Sequence, residues 1–120
     1  MKVIVAGSRN ITSLGAVYHA IKGAEKEGIT ITEVVSGCAR GVDTIGELWA
    51  DFKQLKLTKF PADWDKHGRS AGPIRNQEMA DYADALIVVW DGKSSGSKNM
   101  LETMKKTGKP YFSYVVEEIY

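Results

Sequence analysis

The sequence of 120 residues has one cysteine, three prolines and a formal net charge of only +1. A single cysteine, Cys38, excludes an internal disulfide and a cysteine-rich zinc site, and we expect no metal site. The small net charge gives no strong attraction to nucleic acid or to an anionic membrane, so neither is expected as a partner. No apolar run approaches the ~20 residues that span a bilayer.

The N-terminal segment is too short for a signal peptide and indicates a first β-strand instead. Hydrophobic residues make up 43% of the chain and charged residues 26%, as in an ordinary globular protein. We therefore expect one domain over residues 1–120, located in the cytoplasm.

Short apolar runs alternate with stretches of helical periodicity along the chain. Strands are predicted at residues 3–6, 31–35, 57–60, 85–90 and 111–115. Two apolar stripes predict helices with core positions at Leu14, Val17, Ile21 and Ala24, and at Val42, Ile45, Trp49 and Phe52. Thr12 or Ser13 is the expected cap of the first helix. A loop is predicted at residues 62–72, a helix at 73–83, and a last helix after residue 97.

This alternation predicts an α/β protein with a mainly parallel five-stranded sheet and helices on both faces. Right-handed crossovers favour a three-layer, Rossmann-like arrangement with strand order 3-2-1-4-5. In that order the chain changes direction beside the first strand, and ligands bind at the carboxyl edge of the sheet there. The turns at Gly7, Gly37 and Gly92 all follow strands, so we expect them to meet on that edge.

The turns after the first two strands have residue types suited to a phosphate group. In Gly7-Ser8-Arg9, glycine allows close approach, serine can donate a hydrogen bond, and arginine can pair with phosphate. The second turn offers backbone amides, and its candidate binding residues are Ser36, Gly37, Arg40 and Gly41. Three roles stay open for Asp43: capping the next helix, orienting Arg40, or accepting a hydrogen bond from a ribose hydroxyl.

The loop at residues 62–72 is long for a compact domain, and such loops are often functional. In it, Asp63 and Trp64 offer a carboxylate and a flat apolar face for a ribose or a base. His67 is either an acid/base group or an ordinary surface histidine.

Arg75-Asn76 is predicted to fall in the first turn of a helix, where a cation opposes the helix dipole unless an anion compensates. The anion is either a ligand or one of three carboxylates, Asp63, Asp65 and Glu78. After the fourth strand, Ser95, Gly96 and Ser97 form a further candidate phosphate turn. This segment lacks the GxxxxGK[ST] spacing, which argues against a P-loop NTPase.

Four segments together resemble one family: V-I-V-A-G-S-R, S-G-C-A-R-G-V-D, the stretch P-A-D-W…G-R-S-A-G-P-I-R-N-Q-E-M, and A-D-A-L-I-V-V-W-D-G-K-S-S-G-S-K-N-M. They resemble the YspA-like, cpYpsA-related branch of the SLOG superfamily, which unites the Smf/DprA proteins with the LOG phosphoribohydrolases. The resemblance implies a Rossmann-like fold that binds nucleotides or nucleotide-derived ligands, with NAD- and ADP-ribose-related compounds among them.

The two relatives imply different activities. Compared with the LOG motif, Arg75 matches an arginine, Asn76 replaces a lysine, and Met100 stands where the catalytic glutamate is expected. A methionine cannot exchange a proton or stabilise a ribosyl cation. The segment 36–43 instead resembles the corresponding turn of the Smf/DprA proteins, which bind single-stranded DNA.

The leading hypothesis is therefore a domain that binds a phosphorylated, nucleotide-like ligand, with no certain cofactor. The alternatives are a phosphoribohydrolase-type enzyme with a non-standard catalytic acid, and a single-stranded DNA binder. The catalytic residues are unknown, with Arg75 and Asp63 as candidates, and Asp43 or His67 as further replacements for the glutamate. The resemblance also implies a homodimer, for which the apolar residues Met79, Tyr82, Met100 and Met104 are candidates.

Overall fold

The computed structural model describes residues 1–117. Its five strands are β1 (Lys2–Gly7), β2 (Glu33–Ser36), β3 (Lys56–Lys59), β4 (Ala85–Trp90) and β5 (Tyr111–Val115). Its helices are α1 (Leu14–Lys26), α2 (Val42–Phe52), α3 (Trp64–His67), α4 (Ala71–Tyr82) and α5 (Ser95–Thr107), with a 3₁₀ turn at Gly68–Ser70.

The strands form one parallel sheet in the order β3-β2-β1-β4-β5, which confirms the predicted Rossmann-like fold. Ile4 of β1 lies opposite Val35 of β2 and Leu86 of β4. Every residue of β4 is buried, as expected for a strand covered on both faces. Successive strands are added on one side of β1 up to β3, and on its other side from β4 onward. The order therefore reverses between β1 and β4, and the carboxyl ends of these two strands flank the point where ligands bind in such sheets.

Alternate residues of β1 point to two separate cores, one on each face of the sheet. Val3 and Val5 pack in the core that α1 and α2 cover, whereas Ile4 and Ala6 pack in the core that α4 and α5 cover. Helices therefore cover both faces. Each crossover leaves the sheet at the carboxyl end of a strand. The helices that follow β1, β2 and β4 therefore begin near the carboxyl ends of the strands.

The helical stripes were correct except at the helix ends. Leu14 is 50% exposed and Phe52 is 75% exposed, although both were expected in the core. Leu14 is the first residue of α1 and Phe52 the last residue of α2. Periodicity gives the direction of a side chain, but it does not show where the covering layer stops. Ser13 caps α1 as predicted, accepting from the Ala16 N–H at 3.1 Å.

Segment 62–72 is the largest correction to the sequence prediction. It contains α3 and the 3₁₀ turn, and α4 begins at Ala71, before Pro73. Asp63 caps the extra helix α3, because its side chain accepts a hydrogen bond from the Lys66 N–H at 3.1 Å. As a result Arg75 lies beyond the first turn of α4, where the unfavourable dipole effect is weaker.

The boundaries of β2 and β3 also differ slightly from the prediction, by one or two residues. Met79, Met100 and Met104, considered as dimer contacts, are buried in the core instead. Among residues 1–117, no helix is long and apolar enough to cross a bilayer.

Candidate functional site

A cavity of about 650 Å³ opens at the carboxyl edge of the sheet. Its walls come from the turns after β1 and β4, the start of α2, the segment from α3 into α4, and the start of α5. The cavity therefore lies beside β1 and β4, where the strand order reverses, and this is the position that the strand order predicted.

The cavity brings together ten of the residues that the sequence suggested. These are Gly7, Ser8, Arg9, Asp43, Trp64, Arg75, Asn76, Ser95, Gly96 and Ser97. Five other candidates are not among its lining residues: Ser36, Gly37, Arg40, Gly41 and Asp63. Lining residues that sequence reasoning missed include Asn10, Arg69, Asp91, Ser94 and Asn99.

The Gly7-Ser8 turn joins the ends of β1 and β4. A Cβ atom on Gly7 would lie 1.7 Å from the Val89 carbonyl oxygen, so only glycine fits this close approach. Ser8 donates its N–H to Val89 O at 3.1 Å, and its hydroxyl accepts from the Asp91 N–H at 3.1 Å. Ser8 is 1% exposed, so its side chain mainly holds the two turns together.

The turn after β2 supports the cavity from behind. Gly41, with φ +74°, precedes α2, and a Cβ there would lie 2.5 Å from Ser8 O. Ser36 donates its hydroxyl to Glu47 at 2.6 Å and accepts from the Cys38 N–H at 3.1 Å. The surrounding protein partly desolvates the Cys38 thiol, and this effect, with Glu47 nearby, raises the pKa of the thiol, which disfavours the nucleophilic thiolate.

Asp43 supplies a nearly buried carboxyl group to the cavity wall. It is only 4% exposed, and burial raises its pKa to about 6. The Ala39 N–H donates to its Oδ2 at 3.3 Å, the Gly7 N–H also hydrogen-bonds to it, and nearby Arg75 favours the ionised form. Asp43 thus links the turn after β1 to the turn after β2.

Arg75 is held in place by the protein. Its Nη1 donates to Gly37 O at 2.5 Å and its Nε donates to Asn76 Oδ1 at 3.0 Å. Burial lowers its pKa, while the Asp43 carboxylate raises it. The sequence suggested an ion pair of Arg75 with Asp63, Asp65 or Glu78. That prediction is wrong, because the carboxylate beside Arg75 belongs to Asp43.

Asn76 connects two walls of the cavity. Its Nδ2 donates to Asn99 Oδ1 at 2.9 Å, which ties α4 to the first turns of α5. The buried amide of Asn76 thereby positions both the Asn99 side chain and the guanidinium group of Arg75. Two amides with matched donor and acceptor atoms can form such a link across helices.

The turn between β4 and α5 is preorganised by its own side chains. Asp91 accepts from the N–H groups of Lys93 and Ser94 at 2.9 and 2.8 Å, and these bonds lower its pKa. Ser94 caps α5, accepting from the Ser97 N–H at 3.4 Å. The first amides of a helix carry partial positive charge, so this wall favours an anion.

The segment from α3 to α4 forms the rim. Trp64 is 49% exposed and lines the cavity, as does the exposed Arg69 on the 3₁₀ turn. Asp63 is directed at its own helix as the cap of α3. His67 is not among the lining residues either. The rim thus combines an open indole face with a cation.

Charge and shape together define what the cavity can bind. Three guanidinium groups, those of Arg9, Arg69 and Arg75, line the cavity together with two carboxylates, Asp43 and Asp91. Guanidinium groups and helix N-terminal amides are the usual partners of phosphate and carboxylate groups. Among residues 1–117, no group of three or more histidine, cysteine, aspartate or glutamate residues could hold a metal ion.

The sheet order and the position of the cavity define a Rossmann-like α/β domain with a ligand-sized cavity at its carboxyl edge. The chain belongs to the YspA, cpYpsA-related SLOG family, whose model matches residues 1–67. This confirms the resemblance inferred from the sequence motifs.

Two relatives and one solved structure are similar to the chain. The Gene 61 protein of Mycobacterium phage D29 is 31% identical over 119 residues, covering 94% of this chain and 95% of the relative. The SPbeta prophage-derived protein YoqJ of Bacillus subtilis (strain 168) is 34% identical over 55 residues, covering 43% of this chain and 32% of YoqJ.

The solved structure is DNA processing protein A (DprA) from Streptococcus pneumoniae, with a TM-score of 0.72 and 24% identity. The match covers 93% of this chain and 49% of DprA, so the chain spans about half of that protein. At this identity the likeness shows the shared fold.

Proposed function

We propose that the chain binds a nucleotide or a nucleotide-derived phosphorylated ligand in the cavity at the carboxyl edge of the sheet. The observation that carries the proposal is the convergence of Arg9, Arg69 and Arg75 with the N-terminus of α5 around one cavity. Membership of a SLOG family supports it, because the family resemblance implies nucleotide-derived ligands.

The phosphate group would bind between the start of α5 and the exposed guanidinium groups of Arg9 and Arg69. Arg9 and Arg69 are exposed, so their guanidinium groups can turn toward a ligand. Arg75 is already bound to Gly37 O and Asn76, and it contributes a fixed positive charge. Two adjustable cations beside preorganised amides suit the two or three charges of a phosphate or diphosphate.

The rest of the cavity suits a base and a sugar. Its volume of about 650 Å³ lies within the range of about 300–1,000 Å³ that is typical of small-molecule sites. The exposed indole of Trp64 at the rim can stack on a base. Candidates therefore include mononucleotides and the larger NAD- and ADP-ribose-related compounds.

Isothermal titration of the purified chain with nucleoside mono- and diphosphates, NAD and ADP-ribose tests this proposal. We expect at least one of them to bind with a dissociation constant below 1 mM, the boundary of weak binding. The Arg69→Ala variant should bind at least about tenfold more weakly, since a charged hydrogen bond is lost. Lys66→Ala, which removes an exposed cation from the neighbouring α3, is the matched control. Binding weaker than millimolar for every compound would refute the proposal.

Hydrolysis of the bound ligand is a second candidate function, and the position of Asp43 favours it. Met100 lines the cavity where the LOG resemblance implies a glutamate, but Asp43 places a carboxylate in the same cavity. A carboxylate beside the ribose can stabilise the positive charge that develops on the sugar when the bond to the base breaks. Asp63 caps α3 instead and is not part of this proposal.

Chromatography of nucleoside monophosphates incubated with the chain would detect this reaction as free base and ribose phosphate. Water adds to the C1′ carbon, the bond from C1′ to the base nitrogen breaks, and the base takes up a proton. We expect Asp43→Ala to abolish release of the base and Glu102→Ala, on the exposed face of α5, to preserve it. Release that survives Asp43→Ala would exclude this role.

DNA binding receives less support. The printed name of DprA concerns DNA processing, but the likeness establishes only the fold. A net charge of +1 and a bounded cavity suit a small ligand better than a long phosphate backbone. A gel shift with single-stranded DNA that weakens with salt would favour DNA binding instead.

A further inference from the structure

The carboxyl group of Asp43 is the most deeply buried charged group that lines the cavity. Its residue is 4% exposed, whereas the three arginines of the cavity are partly or fully exposed. A charged side chain is rarely buried in this way unless its hydrogen bonds are satisfied. The partners of this carboxylate therefore indicate what kind of ligand group can approach it.

The protein supplies part of the hydrogen bonding that Asp43 needs. The backbone N–H groups of Ala39 and Gly7 donate to the carboxyl group, and Arg75 lies close enough to attract it. An ionised carboxylate has about four acceptor positions on its two oxygens. Two backbone donors leave acceptor positions for the ligand, and a ligand group that binds there must donate hydrogen bonds.

A phosphate group does not fit next to Asp43. Like charges at short range repel each other, and Glu47 already adds negative charge near this carboxyl group. The phosphate is expected at Arg9, Arg69 and the start of α5, so the group beside Asp43 is a neutral donor. In a nucleotide, the neutral donors nearest to the phosphate are the ribose hydroxyls.

We infer that Asp43 accepts hydrogen bonds from the ribose hydroxyls of the ligand and thereby selects ribonucleotides over 2′-deoxyribonucleotides. This inference rests on the proposed function and names the specificity of the same site. The ribose connects the phosphate to the base, and Trp64 at the rim provides the surface for the base. Asp43 is bound to the turns at Gly7 and Ala39, near the ends of the strands. A ribose beside Asp43 would therefore lie between the phosphate and the base.

Paired titrations test the inference. The probes are the ribonucleoside 5′-monophosphates and diphosphates, each compared by calorimetry with its 2′-deoxy counterpart. The phosphates and bases of a pair are identical, so the ratio of the two dissociation constants isolates the hydroxyl group. We expect the ribose form to bind about 10- to 100-fold more tightly, as a hydrogen bond to a charged group implies.

Asp43→Asn should reduce this ratio to about threefold or less, because an amide has fewer acceptor positions than a carboxylate. Asp51→Asn is the matched control, since Asp51 is an exposed aspartate on the same helix, and it should keep the wild-type ratio. Circular dichroism checks that both variants are folded. If Asp43→Asn does not fold, 3′-deoxy probes with the wild-type chain provide the second measurement, and they too should bind more weakly.

Equal binding of ribose and deoxyribose forms to the wild-type chain would overturn this inference alone. An unchanged ratio in folded Asp43→Asn would do the same. A preference for one base with no effect of the 2′-hydroxyl would place the edge of a base at Asp43 and overturn it as well. Absence of binding for every probe would refute the proposed function, and the inference with it.

Discussion

Asp43 belongs to both the fold and the candidate site, and its carboxylate has two opposite effects on the stability of the folded protein. Its carboxylate links the turns after β1 and β2, yet its burial disfavours the charged form. The sequence suggested three roles for this residue but gave no sign of its burial. Burial depends on the packing of two turns that are distant in sequence, so local patterns do not contain it.

The raised pKa of Asp43 predicts a dependence of stability on pH. The folded pKa is about 6, above the unfolded value near 3.9, so the folded state binds the proton more tightly. The contribution of this group to the free energy of unfolding is therefore largest below about pH 4 and falls by up to about 3 kcal/mol as the pH rises through 6. Urea denaturation of wild type and Asp43→Asn between pH 4 and 7 measures it, because the variant lacks this titration. A difference between the two proteins that does not change with pH would contradict the assignment.

Gly7 predicts a second effect at the scale of one residue. Gly7→Ala places a methyl group 1.7 Å from the Val89 carbonyl, so β1 and β4 must separate at the edge of the cavity. We expect a loss of at least about 3 kcal/mol in the free energy of unfolding. Gly15→Ala is the control, because the nearest heavy atom that its Cβ meets lies 3.7 Å away and alanine favours helix. Comparable midpoints of denaturation for the two variants would show that the close approach of β1 to β4 does not require glycine at position 7.

At the scale of elements, the sequence predicted the strands well and the short helices poorly. The central strand β4 is a continuous run of buried apolar residues, and β4 and β5 have the predicted bounds. The four-residue helix α3 is too short to show periodicity, and it depends on the cap at Asp63. Arg69 was missed for the same reason, because the 3₁₀ turn that carries it to the cavity was predicted as loop.

The helix caps give a direct test at this scale. Ser13→Ala removes the bond to the Ala16 N–H and should cost about 1 kcal/mol. Ser70 occupies the corresponding position before α4, but its side chain makes no cap hydrogen bond. Ser70→Ala should therefore change the free energy of unfolding by less than about 0.5 kcal/mol. Thermal denaturation of both variants measures the difference, and equal effects would show that the Ser13 cap is unimportant.

Glu33 joins three elements at the opposite edge of the sheet. It accepts hydrogen bonds from Tyr82 of α4 and Thr58 of β3, and it pairs with Lys56 at 3.7 Å. Burial alone would raise its pKa, but these partners together lower it. Its stabilising contribution is therefore present above the unfolded pKa and is lost as the pH falls through the lower folded pKa.

Glu33→Gln should lower the free energy of unfolding at pH 7 by about 1–3 kcal/mol, and the difference from wild type should shrink toward pH 3. Denaturation at both pH values measures this, with the exposed Glu102→Gln as control. A difference that grows in acid would contradict the direction of the pKa shift.

At the scale of the whole molecule, alternation of strands and helices was enough to predict the sheet order and the edge that holds the cavity. The handedness of the crossovers, which is nearly independent of sequence detail, leaves only a few possible orders. The identity of the cavity lining was less predictable. Gly37, Gly41 and Ser36 form its supporting layer rather than its surface, because hydrogen bonds and close contacts between turns decide which residue faces inward.

The homodimer stays a prediction, and its contacts must differ from the methionines considered from the sequence. Leu48 and Phe52 are the large apolar side chains exposed one turn apart on α2. We expect light scattering to give twice the mass of the chain, and Phe52→Glu to give the mass of a monomer. A monomeric wild type at millimolar concentration would contradict the dimer.

The proposed ligand is phosphorylated and nucleotide-like, and it would bind between the turns after β1 and β4 and the starts of α4 and α5. A titration of the ¹⁵N-labelled chain with ADP-ribose and nucleoside phosphates, followed by two-dimensional NMR, tests it most directly. We expect saturable shifts that are largest for the amides of residues 7–9, 75–76 and 94–97. No saturable shift with any of these compounds, or shifts confined to the opposite edge around Glu33, would contradict it.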